Sequence, residues 1–160
     1  MLQLTELSTT VGNLLAEKKH ILVTAESCTG GGIAAAITDI SGSSAWFDRS
    51  FVTYSNEAKM DMLAVNPKTL NIFGAVSQQT VEEMAAGALR FSNGTIAISV
   101  SGIAGPNGGT EQKPVGTVWF GWKIGNDVET QEMMCFSGDR SQVRQQACCH
   151  ALKRLIELLN

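Results

Sequence analysis

The stretch "TAESCTGGGIAAAI", Thr24 to Ile37, sets a glutamate, a serine and a cysteine directly ahead of three consecutive glycines, at the end of an apolar run. A serine hydroxyl is a weak nucleophile until a base takes its proton. The segment "TYSNEAK", Thr53 to Lys59, offers a tyrosine and a lysine at another strand-to-helix junction. Lysine serves as a base once burial or nearby positive charge brings its pKa toward neutrality. Helix N-termini carry unpaired N–H groups and a partial positive charge, which favour an anion or a developing oxyanion. Ser27 as nucleophile, Lys59 as base, Tyr54 as proton relay or orienting group and N–H groups from Cys28 to Gly31 as oxyanion donors add up to acyl transfer. That means amide or ester hydrolysis through an acyl-enzyme.

Each piece also has a plainer reading. The glycine triplet is otherwise a tight strand-to-helix turn, Lys59 a solvated surface lysine, and the third junction, "SVSGIAGPNGG", a flexible loop. Convergence of three such junctions on one pocket says more than any one of them. The turn is neither a P-loop nor a dinucleotide fingerprint, because no Lys-Ser/Thr follows the glycines and the spacing fails. A mechanistic variant makes Cys28 the nucleophile, with Glu26 and Lys59 as partners. The two side chains are adjacent and point apart, so only one of them takes that role.

These side chains need elements to hold them. Leu4, Leu7, Val11, Leu14 and Leu15 recur at helical spacing and predict an amphipathic helix over 3–18. "HILVTA", 20–25, reads as a buried strand, and "IAAAITDI" as a helix after the glycines. A strand over 46–54 leads to a short helix that Ser55 or Asn56 caps. "VNPKTLNIFGAV" reads as a connector around Pro67. Ser77 caps a helix whose inner face is Val81, Met84, Ala85, Ala88 and Leu89. A strand over 95–100 ends in the glycine-rich loop 102–114, a hairpin turns at "GND", and a last helix runs from about Ser141 to Leu159. The expected fold is a single-domain α/β protein, a three-layer α/β/α sandwich with a mixed sheet and a late antiparallel hairpin.

Composition narrows the class. With 160 residues, 44% of them apolar, the chain suits one domain with an ordinary core. No apolar run reaches the roughly 18 residues of a membrane helix, and the N-terminus lacks the basic and cleavage features of a signal peptide. A soluble cytoplasmic protein is expected. The formal net charge is -3 and no Lys/Arg cluster stands out, which argues against DNA or RNA as the main ligand. Four cysteines form no CxxC pair and read as reduced thiols. With two histidines, His20 before a strand and His150 inside a helix, neither a zinc site nor a Ser-His-Asp triad is expected.

Five motifs in order, "AESCTGG", "TYSNEAK", "GAVS", "SGIAGPNGG" with "PVGTVW", and "FSGDRSQVRQQA", resemble the CinA C-terminal domain family, the nicotinamide-nucleotide amidohydrolases. The resemblance runs from about residue 4 to 159. It implies hydrolysis of nicotinamide mononucleotide to nicotinate mononucleotide and ammonia, in pyridine-nucleotide recycling. Carried over, the catalytic set is Ser27, Lys59 and an assisting Tyr54. Cys28, Thr29, Gly30, Gly31, Asn56, Ser101 and Gly102 are substrate-binding candidates, with Arg140 as a phosphate partner. It implies no metal, no cofactor and a homodimer. Many longer relatives add a molybdopterin-binding-like N-terminal domain, which is not expected in this chain. Arg49 and Ser50 stand where many relatives have a Gly-Gly pair. The runner-up reading is an inactive nucleotide-binding or regulatory paralogue.

Overall fold

The computed structural model describes residues 2–160. Its sheet has five strands: β1 (Leu22–Glu26), β2 (Phe47–Val52), β3 (Ile96–Gly102), β4 (Thr117–Ile124) and β5 (Val128–Cys135). Their order is β2-β1-β3-β4-β5. β1 runs parallel to both neighbours, whereas β3–β4 and β4–β5 are antiparallel. β1 is buried throughout and β3 nearly so, which is why both read as unbroken apolar runs rather than alternating ones. The registers pair Glu26 with Val52 on one side and with Val100 on the other. β1 and β2 therefore end level, opposite Val100 of a β3 that runs on to Gly102, and Ser27, Thr53 and Ser101 come out side by side.

Helices cover both faces, as expected. On one side α1 (Leu2–Lys18), α2 (Gly32–Thr38) and α6 (Arg140–Leu159) bury Val11, Leu15, Ile33, Ile37, Val143, Leu152 and Leu155. The indole N–H of Trp122 reaches the core-facing carbonyl of Ala151 at 3.1 Å, which satisfies the one polar atom of that buried ring. On the other side α3 (Asn56–Leu63), α4 (Pro67–Phe73) and α5 (Gln78–Arg90) bury Leu63, Leu70, Val81, Met84 and Ala88. Each such Val, Leu, Ile or Met side chain contributes about 1.5–3 kcal/mol. α3 and α5 touch at Gly87, where an added Cβ would lie 2.0 Å from the Leu63 carbonyl oxygen.

Two departures from the sequence reading have simple causes. The segment around Pro67 is a helix, not a connector. Asn66 caps it by accepting from Lys68 N–H at 2.9 Å, Pro67 sits in the first turn, and Leu70 anchors it in the core. Proline interrupts a helix interior but suits its start. β2 stops at Val52, so Tyr54 lies beyond the strand. Among the described residues no helix is long and apolar enough to cross a membrane.

Candidate active site

Ser27 is the first residue past β1, and its N–H donates to the Val100 carbonyl at 3.0 Å, which ties it to the end of β3. Lys59 lies one turn into α3. Ser55 caps that helix by accepting from Ala58 N–H at 3.0 Å. The helix axis then aims the lysine back across the strand ends. Lys59 Nζ is 3.1 Å from Ser27 Oγ and donates to the Thr53 carbonyl at 2.9 Å. Lys59 is only 1% exposed, and among the described residues no carboxylate pairs with it. Burial therefore lowers its pKa, opposed weakly by the neighbouring Cys28 thiol. The lysine is buried, not solvated.

A cavity of about 300 Å³ opens over this pair. Ser27, Cys28 and Lys59 line its buried part, and Ser101 with Gly102 closes one side. Tyr54, 63% exposed, Asn56 and Arg140 stand at its outer wall, together with the loop through Asn107. α6 begins at Arg140, with Asp139 and Gln142 forming a reciprocal capping box. From there Arg140 reaches over the cavity. Nη1 donates to the Gly105 carbonyl at 2.8 Å and Nη2 to Tyr54 Oη at 3.0 Å. The two expected outer residues are thus in direct contact.

Thr29, Gly30 and Gly31 contribute no side chain to the cavity. The Thr29 hydroxyl donates into the protein, to Glu26 Oε1 at 2.6 Å, and the glycines carry the turn behind the serine at φ values of 58° and 93°. Nor are the N–H groups at the start of α2 free for an oxyanion. Glu26, fully buried, accepts Ile33 N–H and Ala34 N–H, each at 2.9 Å. The hydroxyls of Thr24 and Ser50 also lie within 3.1 and 3.3 Å of its Oε2. A carboxylate of the chain itself thus fills the anion site that the helix dipole creates. Gly30 N–H goes to the Ser27 carbonyl and Gly32 N–H to that of Thr29. The N–H groups of Cys28 and Thr29, the two that follow the serine, donate to no other described residue.

Glu26 is therefore occupied and is no partner for Cys28. Burial pushes the Cys28 thiol up to about 11, outweighing the nearby Arg144 charge, and the side chain packs into the core beneath α2 and α6. Reading the sequence did not single out Arg144, whose guanidinium Nε donates to the Cys28 carbonyl at 3.0 Å and Nη2 to that of Thr29 at 3.1 Å. It sits 116 residues from Cys28, and only its place in "GDRSQVR", one turn after Arg140, hints at a shared face. Ser50 joins the Glu26 cluster by accepting from the Thr24 hydroxyl at 2.6 Å.

A larger groove of about 720 Å³ runs along the outer face of α6 past Phe136, Cys149, His150 and Lys153, where the His150 imidazole bonds Glu132 at 2.8 Å. Among the described residues no cluster of His, Cys, Asp or Glu side chains is built to hold a metal ion.

The family model described as "CinA C-terminal domain" matches residues 4–159. The chain belongs to the CinA C-terminal domain family. It is 54% identical over 153 residues to a protein of Escherichia coli K12 named nicotinamide-nucleotide amidohydrolase PncC, covering 96% of this chain and 93% of that one. A protein of the same name from Pseudomonas putida is 48% identical over 97% of this chain and 96% of its own. The crystal structure of a competence/damage inducible protein from Agrobacterium tumefaciens superposes with a TM-score of 0.96 at 45% identity, covering 99% of this chain and 96% of that one. The three-layer CinA architecture anticipated from the sequence is thus the one observed.

Proposed function

We propose that this chain is a nicotinamide-nucleotide amidohydrolase that converts nicotinamide mononucleotide to nicotinate mononucleotide and ammonia, a step of pyridine-nucleotide recycling. The observation that carries the reading is a fully buried lysine with no carboxylate partner, held 3.1 Å from a serine hydroxyl at the common end of three parallel strands. The names of relatives at about half identity support the choice of amide.

In this reading neutral Lys59 accepts the Ser27 proton as Oγ attacks the carboxamide carbon. The carbonyl oxygen becomes an oxyanion that takes hydrogen bonds from the Cys28 and Thr29 N–H groups. Lys59, now an ammonium, returns its proton to the amide nitrogen, and the C–N bond breaks to release ammonia and leave a Ser27 ester. Water then attacks that ester with Lys59 again as base, and the carboxylate product leaves with Ser27 restored. Tyr54 assists at the mouth. Arg140 shifts from Tyr54 and Gly105 toward the substrate phosphate, where a guanidinium matches the anion's geometry. Ser101, Gly102 and Asn56 border the ribose.

The reading extends to a homodimer and to a cytoplasmic setting, with which four unpaired thiols agree; sedimentation of the purified chain reads the first directly. The deciding experiment is ammonia release from nicotinamide mononucleotide, with Ser27→Ala as control. Release by the wild type and none by the variant is expected. A folded wild type that releases none overturns the proposal.

A further inference from the structure

Arg144 lies one helical turn after Arg140, yet the two arginines diverge. Arg140 spans the cavity mouth, while Arg144 passes behind the turn that follows the serine and forks onto two successive carbonyls, those of Cys28 and Thr29. No described carboxylate pairs with Arg144, so its charge is directed at these two peptide groups.

A trans peptide group points its C=O and N–H in opposite directions. Fixing the Cys28 carbonyl on the guanidinium therefore aims the Thr29 N–H away from it. In the same way the Ser27 carbonyl, held by Gly30 N–H at 3.0 Å, aims the Cys28 N–H away from the interior of the turn. Cys28 and Thr29 are 6% and 1% exposed, and neither N–H has an acceptor in another residue. Buried, unpaired backbone N–H groups are rare in folded proteins. The Cys28 N–H meets only its own thiol, a weak acceptor, and the Thr29 N–H meets no other described residue; two such donors in succession, directly after a serine that faces a lysine, suit a negatively charged oxygen.

The turn is also tied by the Thr29 hydroxyl on Glu26, by Gly30 N–H on the Ser27 carbonyl and by Gly32 N–H on the Thr29 carbonyl, but among the described residues only Arg144 holds the Cys28 carbonyl. Gly30 and Gly31 follow in left-handed backbone, where glycine has the widest freedom. A Cβ on Gly30 would come within 3.3 Å of Arg144 Nη2, so the guanidinium lies close against the turn. A fork that grips two carbonyls removes the freedom that the glycines leave. Its charge also polarises these two peptide groups and strengthens the N–H donors they carry, those of Thr29 and Gly30.

We propose that Arg144 is a positioning residue of the amide hydrolysis: its grip on the Cys28 carbonyl sets the Thr29 N–H directly, and its grip on the Thr29 carbonyl sets the Gly30 N–H, which holds the Ser27 carbonyl and with it the Cys28 N–H, so that both donors are preorganised for the oxyanion. The inference rests on the amidohydrolase reading above. Lysine at this position keeps the charge but lacks the fork.

The test compares wild type, Arg144→Lys and Arg144→Ala in ammonia release from nicotinamide mononucleotide. Thermal unfolding and binding of nicotinate mononucleotide are measured on the same proteins. Loss of one oxyanion donor costs roughly 10²–10³ in kcat. For Arg144→Lys we expect kcat to fall about 10–100-fold, with KM and product affinity within about twofold, since two donors are loosened and not removed. Low guanidinium concentrations should restore part of the Arg144→Ala rate. Unchanged kcat in Arg144→Lys overturns the inference and leaves the amidohydrolase reading standing. So does a loss of rate matched by an equal loss of product binding, with no rescue by guanidinium. A wild type that releases no ammonia overturns the function and the inference together.

Discussion

Lys59 Nζ stands 3.1 Å from Ser27 Oγ, although 32 residues separate the two in the chain. The pairing depends on three strands in level register at Glu26, Val52 and Val100 and on a helix that starts four residues after the second of them ends. Burial without a counter-charge disfavours the ammonium, so the folded pKa of Lys59 lies below its ordinary value. Ammonia release should therefore rise with pH as Lys59 loses its proton and level off before the roughly 10.4 of a free lysine. The same shift has a consequence for stability. Between the folded pKa and about 10.4 the unfolded chain binds the extra proton, so stability rises with pH across that window; below the folded pKa the full cost of burying the charge is present. Lys59→Met should abolish activity and gain thermal stability over wild type most at acidic pH, by a margin that shrinks toward pH 10. Melting curves of both proteins across pH give the answer, and a margin that ignores pH would contradict the buried-charge argument.

Cys28 neighbours the nucleophile and lines the same cavity, but burial pushes its thiol up to about 11. At neutral pH almost none of it is thiolate, the reactive form. Cys28→Ala should keep kcat within a fewfold of wild type, whereas Ser27→Ala should lose about 10³-fold or more. Alkylation at neutral pH should mark the exposed Cys135 well before Cys28. If alanine at 28 were the more damaging change, the thiol would have to be the nucleophile.

Glu26 accepts two helix N–H groups and the Thr29 hydroxyl in a fully buried setting. Glutamine in its place offers one acceptor oxygen and turns an NH₂ toward donors. Glu26→Gln should cost about 3 kcal/mol, a fall of roughly 6–12 °C in Tm for a chain of this size. Ser50→Gly removes only one hydroxyl from the edge of that cluster and should cost about 1 kcal/mol. Denaturant unfolding of both variants measures the difference, and equal small losses would mean that the carboxylate is not what fixes α2.

How much of this was legible beforehand follows from the range of each interaction. β1 and β3, buried between two helical layers, showed as apolar runs, and Ser55, Ser77 and the hairpin turn showed as local capping and turn chemistry. α4 did not, because Pro67 reads as a breaker unless its place in the first helical turn is known. Ser27, Tyr54, Lys59, Ser101 and Arg140 were picked out by residue type and by a five-motif resemblance, and they do meet around one cavity. The N–H groups from Cys28 to Gly31 were expected as oxyanion donors; Gly30 N–H is taken by the Ser27 carbonyl, and nothing in "AESCTGGG" says that its glutamate folds forward onto the N–H groups that open α2. Arg144 bonds a turn 115 residues away, and a contact of that range leaves no periodic trace in the sequence.

Arg140 Nη2 donates to Tyr54 Oη at 3.0 Å, which links the proposed phosphate partner to the proposed assisting group. Tyr54 is 63% exposed, so Tyr54→Phe should leave stability within about 0.5 kcal/mol. Its effect should fall on kcat, about 10–100-fold for loss of an assisting proton donor. Arg140→Gln removes the charge that faces the substrate anion. It should raise KM for nicotinamide mononucleotide about 10–100-fold, as expected for a charge-assisted pair. Hydrolysis of nicotinamide riboside, which lacks the phosphate, supplies the control. Arg140→Gln should change kcat/KM for the riboside by no more than a few-fold, whereas Tyr54→Phe should slow both substrates alike. If Arg140→Gln slowed the two substrates equally, the arginine would be acting through Tyr54 and not on the phosphate.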